Sequence, residues 1–396
     1  MAKKIMYKGF KLIDGTGSKP IENAYMIVGD KKISKVGRFV DLETVEDCEL
    51  VDLTGKTVMP GLINSHVHIV MEPAADPNSI LMNESKYKAA IRGVANLKKQ
   101  LYAGTTFFRD MGGLDFIDLE IRDAVKQGLI EGPEFLASGK VITMTGGHGW
   151  IMGREADGPD EIRKAAREQL KAGADVIKIM ATGGVMTKGV EPGSPQLSME
   201  EMKAAVEEAG KAGKRTATHA QGTTGIKNAI RAGLDSIEHG IFLDDEAIQM
   251  MVENGTFLVP TLVAPYFIVK YGEEAGIPKF AVEKSKYVME YHLDSFRRAH
   301  EAGVKIAMGT DSGTPFNKHE GAPYELKMMA ENGMTAMEAI VASTKGSAEC
   351  LGIEKEYGTL EAGKFADFLV LDNNPAEDLD ALFDISQIYK LGKRVK

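Results

Sequence analysis

"ADVIKIMATGGV", residues 174–185, carries a lysine in an unwelcoming place. Val176, Ile177, Ile179 and Met180 make a short apolar run that ends in glycines, the pattern of a fully buried strand. Lys178 sits in the middle of it. A lysine buried alone must give up its proton or find a partner, and both options cost free energy.

On either side of this stretch, strand-like segments alternate with amphipathic helices, the signature of a parallel α/β sheet. Residues 198–213, "SMEEMKAAVEEAGKAG", show the helical device clearly. Ser198 and Glu201 form a capping box, Met199, Met202, Val206 and Ala209 make the apolar stripe, and Gly213 follows the end. Residues 335–352 repeat it with Thr335, Glu338 and Gly352. The β-type segments are "GLINSHVHIV", "GTTFFRDM", "EFLASGKV", "DVIKIMAT", "RTATHAQG", "SIEHG", "TFLVPTL" and "VKIAMGTDSG". Eight such units in roughly 290 residues fit a (β/α)₈ barrel, where a doubly wound sheet leaves two strands over.

The ends of the chain have a different texture. "KIMYKGFKLID", "AYMIVGDKKISKVG" and "CELVDLTGKTVMPG" near the start are short strands punctuated by turns. "YGTLEAGKFADFLVLDNNP" and "DISQIYKLGKRVK" near the end share that character. The expected architecture is α/β: a (β/α)₈ TIM barrel over 59–354, with a small β-sandwich domain built from 1–58 and 355–396.

Composition narrows the function classes. The 396 residues are 43% hydrophobic and 27% charged, an ordinary globular balance. A net charge of -9 argues against nucleic acid and anionic membranes as partners. No apolar run approaches the ~20 residues of a membrane span. The N-terminus lacks the apolar core of a secretion signal, and Cys48 and Cys350 have no metal-type spacing, so a cytoplasmic location is expected.

Catalytic residues of such barrels lie at the C-terminal ends of the strands, and polar residues occupy those ends one after another. The first segment ends in His66-Val67-His68. Alternate strand residues share a side, so both imidazoles can reach one ion. Lys178, His219 in "TATHAQG", His239 in "SIEHG" and Asp311 in "MGTDSG" follow on the fourth, fifth, sixth and eighth segments. Each alone has an ordinary explanation: a core histidine, a turn aspartate, a paired lysine. Together they point to one transition-metal site.

These residues, in this order, resemble the binuclear site of the amidohydrolase superfamily. More narrowly, the chain resembles its branch of metal-dependent dipeptidases, carboxypeptidases (Xaa-Pro dipeptidase-like) and imidazolonepropionase-like hydrolases. The likeness runs over nearly the whole chain, through "MPGLINSHVH", "GTTFFRDMGG", "TGGHG", "ADGPDEIRKAAREQLKAGADVIKIMATGGV", "SIEHG", "GTDSGTP" and "GTLEAGKFADFLVLDNNP". It implies that Lys178 is carboxylated by CO₂ and bridges two divalent ions as a carbamate. His66, His68 and Asp311 would hold the more buried ion, and His219 and His239 the more exposed one. Zinc is the first choice for an imidazole-rich set, with manganese and cobalt left open. A bridging hydroxide is the implied nucleophile, with Asp311 as general base and then acid.

The resemblance extends to further residues. His148, in "TMTGGHGW", is an expected donor to the developing oxyanion. Arg109 in "FFRDMGG" and Arg154 either bind a substrate carboxylate or pair with acidic neighbours. His319 in "TPFNKHEG" is expected to line the site. Gln221 stands where several peptidase members carry a tyrosine, and an amide can also donate a hydrogen bond. His292 and His300 read as solvated or packing residues on a helix, and Trp150 as a pocket wall.

The leading reading is hydrolysis of an amide bond in a small substrate such as a dipeptide or N-acyl amino acid. The alternatives are a cyclic-amide hydrolase like imidazolonepropionase and an ochratoxin-type N-acyl amino acid amidase. A single-metal deaminase is disfavoured by Lys178. A non-catalytic scaffold on the same barrel is disfavoured because all six ligand positions are intact. A homo-oligomer is left open by the apolar stretch "TLVAPYFIVKYGEEAGIP", which reads as an interface or a lid.

Overall fold

The computed structural model describes residues 4–42 and 48–396, so residues 1–3 and 43–47 of the expected N-terminal segment lie outside the described residues. The central feature is a cylinder of parallel strands. Leu62–Val67, Thr105–Asp110 and Glu134–Ala137 pair in that order. Val141–Thr143, Val176–Met180, Arg215–Ala220, Ser236–His239 and Phe257–Val259 form the rest of the wall.

Two junctions join these sheets, and both depart from the expected regular strands. The third segment breaks at residues 138–140: its first half pairs with Thr105–Asp110 and its second with Val176–Met180. The Asp175 N–H, donating to the Ala137 carbonyl at 2.8 Å, bridges the gap. The eighth segment is not a regular strand. It is nonetheless tied on both sides: Leu258 N–H donates to Lys305 O at 2.8 Å, and Ser65 N–H to Met308 O at 2.8 Å. Asp311 N–H donates to His66 O at 2.8 Å, and His68 N–H to Ser312 O at 3.0 Å. The segment ends at Asp311, which adopts φ +57, in the left-handed region.

Strand parity sorts the side chains. Ile177 and Ile179 face outward into the large core formed with the helices, beside Ala165 and Met202. Each such fully buried side chain contributes about 1.5–3 kcal/mol. Val176 faces inward and joins Met111 and Ala217. Lys178, two residues on, shares the side of Val176 and so points into the barrel.

The covering helices begin as their sequences indicate. Met199–Lys211 and Ala336–Val341 both start with complete capping boxes, at Ser198/Glu201 and Thr335/Glu338. The second continues through a widened π-turn, Ala342–Gly346, into Ser347–Leu351. The Ala342 carbonyl accepts from the Met308 N–H at 3.0 Å, which pins the irregular eighth segment. Such turns recur at functional sites.

Strands from both ends of the chain make one eight-stranded sheet. Ile5–Leu12 lies near its centre and pairs with Ile21–Gly29 on one side and with Glu49–Asp52 and Thr57–Pro60 on the other. Phe368–Leu371 and Ile385–Lys390 extend it. Just ahead of Phe368, the chain returns to the far edge: Ile33 N–H donates to Lys364 O, and Ala366 N–H to Lys31 O, both at 2.9 Å. The sheet therefore wraps around its own core, where Phe368 stacks on Tyr389 at 4.2 Å and Tyr7 meets both edge-on. Among the described residues no helix is long and apolar enough to cross a membrane.

Candidate metal centre

The structure gathers the six expected ligand residues at the C-terminal mouth of the barrel. His66 Nε2 and His68 Nε2 lie 3.5 and 3.3 Å from Asp311 Oδ1. The ligand atoms of these three lie within 4.8 Å of one another, a spacing one cation can satisfy. His239 stands beside His66, ring centroids 5.3 Å apart, and His219 beside His239 at 4.6 Å. Lys178 is fully buried and lines the same pocket.

Each imidazole has one nitrogen committed, which decides where its lone pair lies. His66 Nδ1 bonds Glu238 Oε2 at 2.8 Å, and His68 Nδ1 bonds the Gly112 carbonyl at 2.8 Å. His239 Nδ1 bonds Thr261 Oγ1 at 2.6 Å, whose own hydroxyl donates to the Pro260 carbonyl. These three present Nε2 to the centre. His219 is reversed: its Nε2 faces the Gly183 carbonyl at 3.3 Å, leaving Nδ1 as the ligand atom.

Electrostatics agree. Burial, followed by the Lys178 charge for His66, by His148 for His219 and by His66 for His239, holds these three imidazoles well below their usual pKa. They are neutral, as metal ligands must be. His68 differs: burial lowers it, but Asp311, Asp110 and the Gly112 carbonyl together outweigh burial and raise it. Burial also pushes the Lys178 ammonium down to about 8. Its Nζ has no hydrogen-bond partner, a buried polar atom left open to a bound group, and the lowered pKa makes its neutral, reactive form more accessible. Neutral imidazoles, a carboxylate and an unpartnered lysine fit divalent cations well.

Backbone strain clusters here. His239, Thr261 and Asp311 adopt φ +74, +53 and +57, in the left-handed region that non-glycine residues avoid. At His239 the consequence is direct. Consecutive strand residues point to opposite sides, yet Glu238 and His239 both serve the centre because the chain turns between them.

Glu238 itself escaped the sequence reading. It is fully buried and accepts from His66, from Arg109 Nη2 at 2.8 Å and from Ser236 Oγ at 2.6 Å. Of the two roles open to Arg109, a substrate-carboxylate binder or a partner of a barrel carboxylate, the geometry fits the second: it turns inward to Glu238 and also donates to the Ser65 carbonyl at 2.8 Å. It does not line the pocket. Arg154 lies outside as well, paired with Glu168 at 2.9 Å. His319 is buried behind the site, bonded to the Met71 carbonyl at 3.0 Å.

Above the ligands is a cavity of about 400 Å³. His148 and Gln221 do line it. The His148 ring sits 4.1 Å from that of His219, and Thr187 Oγ1 holds its Nδ1 at 2.6 Å. Burial drives the His148 pKa down to about 3, so it is a neutral imidazole. Gln221 keeps an unpartnered amide oxygen. Ile151, Met180, Met186, Ile268 and Phe280 make the remaining wall largely apolar, with half-exposed Trp150 at its edge. The apolar stretch weighed as an interface or lid forms helix Val263–Tyr271, one face of which is this wall. His292 is buried and bonds the carbonyls of Pro260 and His239, tying helix Lys279–Glu301 to the centre. His300 lies apart, 3.8 Å from Glu338.

Comparison with known proteins agrees with this geometry. Residues 57–395 match the amidohydrolase family. The chain is 32% identical to an ochratoxinase from Aspergillus niger, over 99% of this chain and 86% of that protein. A solved Xaa-Pro dipeptidase with methionine bound in its active site superposes with a TM-score of 0.93 at 34% identity, covering 100% of both chains. A solved prolidase complexed with N-methylphosphonate-L-proline gives 0.92 at 31% identity, again over 100% of both. The chain belongs to the amidohydrolase family and is a hydrolase acting on amide bonds.

Proposed function

We propose that the protein cleaves the amide bond of a small dipeptide or N-acyl amino acid with an apolar side chain, at a two-metal centre. His66, His68 and Asp311 would hold one ion, and His219 and His239 the other. Lys178, carboxylated, would bridge them. The observation that carries this reading is the orphaned Lys178 Nζ, buried among neutral imidazoles beneath an open, largely apolar pocket. Divalent ions bound there supply a water of lowered pKa and a Lewis acid for the scissile carbonyl, with zinc favoured by the imidazole set.

The chain's own residues account for the rest. Asp311 takes a proton at its carboxylate from the attacking water and returns it to the leaving nitrogen. In the tautomer where the Thr187 hydroxyl donates to Nδ1, His148 carries its proton on Nε2 and would donate it to the oxygen that becomes negative. The Gln221 amide oxygen accepts a substrate N–H. Lys188, exposed at the pocket rim, is the basic side chain outside the ligand set that can meet a substrate carboxylate, since Arg109 and Arg154 do not line the pocket and are paired with Glu238 and Glu168. The apolar walls receive the substrate side chain and keep bulk water out.

The test is a library of dipeptides, N-acyl amino acids and lactams assayed by amine release, alongside metal analysis. Turnover of acyclic amides with apolar side chains, and about two metal equivalents per chain, is expected. Turnover restricted to lactams or imidazolones would overturn the substrate assignment.

A further inference from the structure

A second cavity, of about 620 Å³, lies where the barrel meets the C-terminal segment. That is a ligand-sized volume. It shares no lining residue with the catalytic pocket, although helix Val263–Tyr271 separates the two: Ile268 faces the catalytic side, and Phe267 and Tyr271 face this one.

The walls are aromatic. Tyr271 lies against Phe316 with centroids 4.6 Å apart, and Tyr324 meets Phe383 edge-on at 4.8 Å and Phe267 at 5.7 Å. Tyr271, Tyr324 and Phe383 remain 41–47% exposed. Large aromatic surfaces left in water are costly, and a contiguous set of them marks a binding site more often than scattered single residues do.

The rim is cationic. Lys98, Lys99, Lys270, Lys318 and Lys396 surround the opening, and Glu320 is the one carboxylate among the lining side chains. The contacts of these lysines are to neutral groups: Lys99 donates to Asn96 Oδ1, Lys396 lies 3.5 Å from the Tyr102 carbonyl, and Lys270 stands over the rings of Tyr266 and Phe267. In a chain of net charge -9, five ammonium groups with no carboxylate partner among the described residues, around an aromatic slot, form a local exception. Their mutual repulsion is relieved by an anion.

We propose that this cavity binds a small aromatic carboxylate. The ligand ring packs among Tyr271, Phe316, Tyr324 and Phe383, in the offset or edge-on arrangements that aromatic pairs prefer. Its carboxylate sits on the lysine rim, in charge-assisted hydrogen bonds. Neither feature suffices alone: a purely apolar ligand leaves the lysines unpaired, and a simple inorganic anion leaves the rings wet.

The experiment is calorimetric titration of the metal-loaded protein with 3-phenylpropionate at low salt. Saturable binding that weakens as salt is added is expected. Lys98 and Lys318 are exposed, so Lys98→Glu/Lys318→Glu leaves the fold and the amide hydrolysis unchanged while weakening binding by about tenfold. Phe383→Ala weakens binding too, and reports on the aromatic wall independently of charge. 3-Phenylpropanol, with the same ring and no charge, binds at least about tenfold more weakly. The absence of saturable binding overturns the proposal, as does equal affinity for the alcohol. Binding that survives the charge reversal but disappears on chelating the metal places the ligand in the catalytic pocket, and also overturns it.

Discussion

Glu238→Gln keeps the shape of the side chain and removes its charge. Glu238 is buried and satisfies three donors: His66 Nδ1, Arg109 Nη2 and Ser236 Oγ. A glutamine amide offers one acceptor oxygen to these three, and Arg109 loses its counter-charge. Hydrogen bonds to charged groups contribute about 1.5–3 kcal/mol net, so Glu238→Gln is expected to cost about 2–3 kcal/mol of stability. Glu238→Ala, which strands a buried guanidinium, is expected to cost about 3–5 kcal/mol. Loss of the acceptor that orients His66 weakens metal binding by about 10–100-fold. Urea unfolding at constant slope reads the first effect, and competition with a chromophoric chelator reads the second. The double variant Arg109→Met/Glu238→Met separates them. Removing both charges restores most of the stability, but the metal affinity stays low because His66 Nδ1 still lacks an acceptor. Wild-type values for Glu238→Gln in both assays would refute the bridging role.

Lys178→Ala is expected to abolish activity and reduce bound metal, with partial recovery when a short-chain carboxylate fills the vacated position; full activity would exclude the bridging ligand. A Cβ on Gly184 would lie 2.6 Å from the His148 ring, so Gly184→Ala should lower kcat/KM by up to about 100-fold with little change in the thermal midpoint. Glu325 accepts the N–H groups of Leu262 and Val263 at 2.8 and 2.9 Å, and burial raises its pKa from 4.5 to about 8. Between these values the folded protein holds a proton that the unfolded chain releases, so this contribution to stability is complete below 4.5 and is lost as the pH rises through 8. Glu325→Gln should flatten that decline in unfolding midpoints measured from pH 5 to 9, and an unchanged slope would assign it to other buried acids.

The candidate ligands were legible because the histidines and Asp311 stand at or near the C-terminal ends of barrel segments, where such a fold keeps its chemistry, and because Lys178 interrupts an apolar strand. The helices on the outside were legible for a similar reason, since capping boxes at Ser198 and Thr335 act within one turn of chain. Glu238 was not. It precedes His239, and alternation assigns neighbours to opposite sides, whereas φ +74 at His239 brings both to the centre. Its one signal was a carboxylate directly beside a candidate ligand in a short strand. Arg109 was read from its strand-end position, but nothing in the sequence tells whether a long side chain reaches up to the pocket or back into the barrel. Glu238, also unseen, decides it. The break at residues 138–140 and the irregular eighth segment depend on contacts between distant parts of the chain, such as Met308 with Ala342, which no local pattern records.

His66 stands on the first barrel strand and His68 just past its end, and Asp311 on the segment that closes the ring behind the last one. They face each other across the least regular seam in the wall. An ion shared by them would therefore also be a clasp, fastening two ends of a long loop in the way a cross-link does, and its binding energy would add to the stability of the folded chain. Withdrawing it would unfasten the cylinder at one place before any other. The amides of Ser65, His68 and Asp311 would then exchange with solvent ahead of those in Val176–Met180 on the opposite wall. The atoms proposed to hold the ion would thus also set where the fold first comes undone.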